Sequence, residues 1–213
     1  MGEASVDRSE GFGERLLGVL LDRARLLPPQ LIAPLIAEEV ARIGGRDVSI
    51  LLQDYAQELL VPLPGKKLHV GQPESIIDSS AGRAFLRGHV VEVSQTPSGV
   101  RMYLPLLDGS DTVGVMGLTL DAIGHDDRRL LSRLSGLVAD MLVTKGAYTD
   151  QFFRARRREP MSVSAEIQWS LLPPTSMSVP QVEVAGILEP AYRVAGDSFD
   201  YALNDNILHA AVI

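Results

Sequence analysis

Apolar positions recur at helical spacing from Glu14, through Leu16, Leu17, Leu20, Leu21 and Ala24, until Pro28-Pro29 stops the run. A second helix follows, with Leu31, Ile32, Leu35, Ile36, Val40 and Ile43 on its apolar side, Pro34 in its first turn and Gly44-Gly45 as its stop. The period then changes. Val48 to Leu52 and Gln57 to Leu63 read as strands, with Pro64-Gly65 as a turn after the second. Ser75 to Arg87 returns to helical spacing with Ile76, Ile77, Ala81, Ala84, Phe85 and Leu86, Gly88 ends it, and His89 to Val93 starts another strand. Gly99 to Leu107 and Thr112 to Asp121 face each other across Asp108-Gly109-Ser110-Asp111, a strong hairpin signal. A long helix begins near Asp126. Leu130, Leu134, Leu137 and Met141 form one seam on it, Leu131, Val138 and Leu142 a second, and Asp126-Asp127 suits the positive end of its dipole.

This order predicts an α+β module, an antiparallel sheet flanked by helices. The double seam of the exit helix fits either pairing with a second copy, hence a homodimer, or packing on its own sheet. The same helix is expected to run on from Lys145 towards Pro160, carrying Tyr148, Phe152 and the arginines Arg154, Arg156, Arg157 and Arg158. Such a basic run reads as a solvated helix end, with a phosphate-binding patch as the alternative. Ser162 or Ser164 caps a short helix through Leu172, and Pro173-Pro174 ends it. After a polar loop, Val182 to Leu188, Phe199 to Leu203 and Ile207 to Ile213 read as strands, the last two joined by Asn204-Asp205-Asn206.

Composition narrows the chemistry. The 213 residues suffice for two domains, and 46% hydrophobic with 22% charged residues is an ordinary globular balance. A formal net charge of −7 argues against nucleic acid or an anionic membrane as main partner. Cysteine is absent, which excludes disulfides, zinc-thiolate sites and a thiol nucleophile. No apolar run reaches bilayer length and Met1 to Glu10 lacks the features of a secretion signal, so a cytoplasmic protein is expected.

Ser80-x-Gly82-Arg83-Ala84-Phe85-x-x-Gly88-x-x-Val91, then Tyr103-x-Pro105-Leu106 and Val113-Gly114-Val115-x-Gly117-Leu118-x-Leu120, resemble the middle helix and central hairpin of a GAF domain. The resemblance implies a sensor module that binds a small molecule or serves dimerisation; nothing in the sequence identifies the ligand, and a cyclic nucleotide is one candidate. The expected division is a loose tail over 1–12, a GAF-like domain over 13–145, a helical linker over 146–174 and a further unit over 175–213.

The acidic stretch Ile187 to Tyr201 carries the other candidate chemistry. Asp197 and Asp200 follow Ala195-Gly196 between two strand-like runs, an arrangement that suits either a hard divalent cation at a strand end or a plain acidic turn. Glu189-Pro190-Ala191-x-x-Val194-Ala195-Gly196-Asp197-x-Phe199-Asp200, preceded by Gln168-Trp169-Ser170-Leu171-Leu172-Pro173-Pro174, resembles the opening of SpoIIE/RsbU-like PPM serine/threonine phosphatases, with Ala195 in place of a glycine and Phe199 in place of a tyrosine. That resemblance implies the first strands of an α/β sandwich, two Mn²⁺ or Mg²⁺ ions to which Asp197 and, more weakly, Asp200 contribute, and a phosphorylated anti-sigma-factor antagonist as substrate. The family's later acidic motifs do not occur in these residues, so the expectation is a sensor and the beginning of a phosphatase, inactive in this form. The alternative is a dimeric GAF-like binding module with a non-catalytic C-terminal appendage. His69, His125 and His209 lack metal-ligand spacing and read as structural, and Met102, Met116 and Met141 as core fillers.

Overall fold

The computed structural model describes residues 10–95, 99–194 and 196–213. Helix α1 (Glu10–Ala24) and, after one 3-10 turn at Pro29–Leu31, helix α2 (Ile32–Arg42) precede strands β1 (Arg46–Gln53), β2 (Leu59–Pro62) and β3 (Glu74–Ser75). Helix α3 (Ser80–Arg87), strands β4 (Val91–Gln95), β5 (Gly99–Asp108) and β6 (Asp111–Leu120), and the long helix α4 (His125–Gly146) complete the first unit. The six strands form one antiparallel sheet in the order β3-β2-β1-β6-β5-β4.

Strand alternation divides the side chains between two faces. Val48, Ile50 and Leu52 of β1, Met102, Leu104 and Leu106 of β5, and Met116, Leu118 and Leu120 of β6 point to one face. There they merge with Leu20 of α1, Ile32, Ile36 and Val40 of α2, and Leu131, Leu134 and Val138 of α4 into the main core. Both seams of α4 face inward, since Leu130, Leu134, Met141 and Leu131, Val138, Leu142 are buried and Leu137 is partly buried against the same core; the seam packs on its own sheet. Met102, Met116 and Met141 sit in this core as expected.

On the opposite face α3 covers only part of the sheet. Ala81, Ala84 and Phe85 pack on Leu51, Leu60, Ile76 and Val115 as a second, smaller cluster. Its start differs from the sequence reading. Glu74-Ser75 pairs with β2 as an edge strand, Ser79 caps the helix by accepting from the Gly82 amide at 2.8 Å, and Gly88 ends it in the left-handed region at φ 61°.

Three other expectations need correction. Glu10 to Phe12, assigned to a loose tail, belong to α1, while residues 1–9 lie outside the described residues. The exit helix does not run on to Pro160: α4 ends at Gly146 and a separate short helix α5 (Gln151–Ala155) follows, because the break brings Phe152 back into the main core. The polar loop after Pro174 contains strand β7 (Ser176–Val179), which pairs antiparallel with β8 (Val182–Ala185), and β8 stops three residues before Leu188.

Helix α6 (Val163–Leu171) is capped by the Ser162 hydroxyl, which accepts from the Ala165 amide at 3.2 Å. Strands β9 (Phe199–Asn204) and β10 (Ile207–Val212) form a hairpin whose two turn residues, Asp205 and Asn206, take φ 50° and 64°, the left-handed pair that a tight primed turn needs. The β7-β8 and β9-β10 pairs are separate two-stranded sheets, not one layer of a sandwich. No helix among the described residues is long and apolar enough to cross a membrane.

Candidate functional site

Where α3 leaves the second face uncovered, β1, β5 and β6 place polar side chains at alternate positions inside otherwise apolar strands. Ser49, Arg101 and Thr119 are all at least nine-tenths buried there. With Tyr103, Leu51, Asp47, the loop residues His69 and Gln72, and Glu74 of β3 they line a cleft of about 480 Å³.

Arg101 is 7% exposed, and its position is fixed from three sides. One terminal nitrogen donates to the Asp47 carbonyl at 2.5 Å, the other to the Ser49 hydroxyl at 2.8 Å, and the guanidinium carbon lies 5.2 Å from the Tyr103 ring centroid. Two local features make room. Asp47 takes φ 53° where the register of β1 against β6 shifts, a bulge that puts its carbonyl within reach of the arginine. Gly117 sits between Ser49 and Tyr103 in the sheet register, and a β-carbon there would lie 2.4 Å from the guanidinium and 2.6 Å from the Ser49 hydroxyl. The glycine is a space requirement of the buried cation.

Glu74 enters the cleft from β3. Burial raises the pKa of its carboxyl above the ordinary range, opposed by the nearby charges of Arg101 and His69 and by the Ser79 hydroxyl. A half-buried acid and a buried, permanently charged guanidinium thus line one small space. Such a cleft can orient a small polar molecule by its charges.

Two residues beyond Leu51 of the cleft, β1 runs into a second built region. The turn Gln53–Glu58 receives the arginine run. Arg156 stacks over Tyr55 at 4.6 Å from the ring centroid and donates through Nε to the Gln53 carbonyl at 2.7 Å. Arg158 lies 3.3 Å from the fully buried Asp54 carboxylate, and Arg157 pairs with Glu166 of α6 at 2.7 Å. Burial lowers the Arg156 pKa, against the pull of Tyr55, Asp111 and Asp54. Arg156, Arg157 and Arg158 are therefore neither a solvated helix end nor a free phosphate patch, since their charges are spent on a clamp, whereas Arg154 stays exposed and pairs with Asp150 on its own helix, as a solvated helix end does.

Around the same turn, Tyr55 meets Trp169 edge-on at 5.0 Å and Tyr192 at 6.4 Å, and the Trp169 indole donates to the Ala191 carbonyl at 2.7 Å. Gln57 donates to the Gly186 carbonyl at 3.2 Å, and the β5-β6 hairpin tip holds β7 through Asp111, which accepts from Ser176 at 2.8 Å, and through Ser110, whose carbonyl accepts from the Ser178 amide at 3.0 Å.

Asp197 and Asp200 are exposed, and both line another cleft of about 480 Å³ together with Glu189, Leu188 and Phe199. Among the described residues no three His, Asp or Glu side chains gather as a metal-ligand set, so the residues present do not by themselves form a metal centre. Ala195 lies outside the described residues. His69 borders the Arg101 cleft, while His125 at the start of α4 and His209 in β10 are exposed elsewhere; the three are not brought together.

The sequence reading passed over Ser49, Arg101, Thr119 and Glu74. A signal existed: Val48-Ser49-Ile50, Val100-Arg101-Met102 and Leu118-Thr119-Leu120 each set one polar residue between apolar neighbours in a strand, the mark of a polar patch on one face of a buried sheet.

No family profile matches the chain, and no curated protein matches it. Solved structures do. The GAF domain of an Acinetobacter phosphoenolpyruvate-protein phosphotransferase aligns with TM-score 0.55 and 13% identity over 65% of this chain and 98% of its own. The corresponding GAF domain from Coxiella burnetii gives 0.55 and 10% over the same shares. Free methionine-R-sulfoxide reductase from Neisseria meningitidis gives 0.58 and 14% over 70% of this chain and 100% of its own. At such identities the likeness is one of fold, and that fold is the GAF domain.

Proposed function

We propose that this GAF-fold protein is a signal-input module, which takes a small molecule into the Arg101 cleft and passes the cleft's state through the β1-β2 turn to the C-terminal segment. The observation that carries the reading is the buried, geometrically fixed arginine lining a cleft that α3 leaves open. A fold has no need of a desolvated cation at that position, whereas recognition of a polar ligand does. The relay rests on continuity: Ser49 and Leu51 line the cleft, and Gln53, Asp54 and Tyr55 of the same chain segment hold Arg156, Arg158 and Trp169. The reductase among the structural neighbours acts on a sulfoxide; with no cysteine, this chain has no thiol with which to reduce one.

Trp169 is the sole tryptophan and sits in the clamp, so it reports the relay directly. Thermal-shift screening of small polar metabolites is expected to yield a stabilising molecule that also changes Trp169 emission. Gly117→Ala, which crowds Arg101, is expected to weaken that molecule's binding by about tenfold or more. Hits indifferent to Gly117→Ala would reject the cleft.

A second reading is favoured by the convergence of Asp197 and Asp200 on one cleft. In it the C-terminal segment opens a PPM-type phosphatase that the module regulates, with a phosphorylated anti-sigma-factor antagonist as substrate and the chain acting as a homodimer. Here these carboxylates would contribute to holding Mn²⁺ or Mg²⁺, which lowers the pKa of a bound water. Calorimetric titration with Mn²⁺ tests it: weak binding that Asp197→Asn abolishes supports the reading, and binding unchanged by the substitution rejects it.

A further inference from the structure

Arg101 and Glu74 share one cleft, yet neither forms an ion pair among the described residues. The two hydrogen bonds of the guanidinium go to neutral acceptors, a backbone carbonyl and a hydroxyl, so no carboxylate bonds it in a position only 7% exposed, and Glu74 acts on it only across the cleft. Asp47, also on the cleft wall, is exposed to water, and its nearest cation, Arg46 at 3.9 Å, also bonds Asp121 at 2.6 Å. The cleft therefore presents one buried cation and one half-buried acid, each lacking a counter-charge within bonding distance. A ligand that brings a single charge satisfies one and leaves the other desolvated, which is costly. A phosphate monoester brings two negative charges against one arginine, and a diester one, and either meets Glu74 as a repulsive neighbour.

We propose that the cleft binds a small zwitterion of the amino-acid class, its carboxylate on the Arg101 fork and its ammonium on Glu74, with Ser49 and Thr119 as hydroxyl partners and Leu51 beneath the side chain. The proposal rests on the reading of this cleft as the binding site. Arg101 is suited to the carboxylate because its planar fork, already held by Asp47, Ser49 and the Tyr103 ring, offers paired donors without further loss of side-chain freedom. Glu74 suits the ammonium, since the ligand's positive charge supplies what burial takes from the carboxylate.

The experiment uses the whole chain and needs no substitution to begin. The common L-amino acids, their amides and their N-acetyl derivatives are titrated by calorimetry and thermal shift, with cyclic GMP and cyclic AMP as anionic comparators. At least one amino acid is expected to bind, with the amide and the N-acetyl form each weaker by about tenfold or more, as loss of one charged contact predicts. Glu74→Gln is expected to erase the preference for the free amine while keeping that for the free carboxylate. Arg101→Gln is expected to do the reverse; should it fail to fold, Glu74→Gln and the derivative series still decide. Binding that ignores both modifications, or binding of cyclic nucleotides alone, overturns the zwitterion and leaves the cleft standing if Gly117→Ala abolishes it. No binding by any compound of the panel also overturns the zwitterion; the broader metabolite screen then decides separately whether the cleft binds at all.

Discussion

Residues 10–155 and residues 163–213 are built by different means. In the first, Leu20, Ile36, Ile50, Leu104, Met116 and Leu118 are fully buried in one core between the sheet and three helices. In the second, Ala165 and Leu188 are the apolar side chains that reach full burial among the described residues, while Leu171, Ile207 and Val212 stay exposed. What holds the second on the first is a handful of polar and aromatic contacts on the β1-β2 turn and the β5-β6 hairpin tip. A core fixes a fold at a cost of many kcal/mol to undo, whereas a docked segment detaches for a few. A segment meant to respond to a signal belongs in the second category.

The sharpest test of the contrast is in the core. Leu104→Ala removes a fully buried side chain facing α4 and is expected to lower unfolding stability by about 2–5 kcal/mol in urea titration. Trp169 emission should then change together with the circular dichroism of the sheet, because the docked segment loses its platform. A Trp169 transition that survives unchanged after the sheet has melted would mean that the C-terminal segment folds alone.

Next in size is the clamp. Arg158→Ala removes the cation beside Asp54 but leaves that carboxylate with the Glu58 and Leu59 amides at 2.9 and 3.1 Å, so the turn itself should persist. The expected loss is about 1 kcal/mol of docking, with little change in the melting of the sheet. Limited proteolysis between Arg158 and Ser162 is expected to accelerate, and Trp169 emission to shift to the red as Tyr55 is uncovered. A uniform drop in the stability of the whole chain, with no selective proteolysis, would erase the distinction between the two regions.

The first region was largely legible in the sequence because its signals are local and mutually consistent. The Asp108-to-Asp111 turn, the alternation in β5 and β6 and the seams of α4 each declared one element, and the GAF resemblance ordered them. The candidate site was less legible. Arg101, Ser49 and Thr119 lie up to 70 positions apart and become neighbours only through the β1-β6-β5 register, which no single stretch encodes. The arginine run misled for the same reason: Asp54 and Tyr55, which hold it, are a hundred positions upstream. β7 is not legible because Ser176–Val179 gives only four residues, Met177 and Val179 alternating with serines, and pairs with β8 through the backbone without a buried face. Asp197 and Asp200 line one cleft, and the choice between a cation site and a plain acidic turn rests on the Mn²⁺ titration.

The smallest expected effect is in acid–base behaviour, and it separates the regions once more. Burial raises the Glu74 carboxyl, which faces Arg101, His69 and Asp47, and burial also raises Asp111 at the junction with β7, against its hydrogen bond from Ser176. For both, the folded state holds its proton more tightly than the unfolded chain. Stability from each is therefore present at low pH and falls as pH rises from the unfolded carboxyl value to the raised folded one, with no further change above it. Glu74→Gln should flatten that slope in the melting of the sheet, and Asp111→Asn should flatten it in Trp169 emission, since Asp111 holds the docked segment. If Asp111→Asn altered only the melting of the sheet and left the pH profile of Trp169 untouched, the hairpin tip would not be part of the dock, and the β1-β2 turn alone would carry the contact between the two regions.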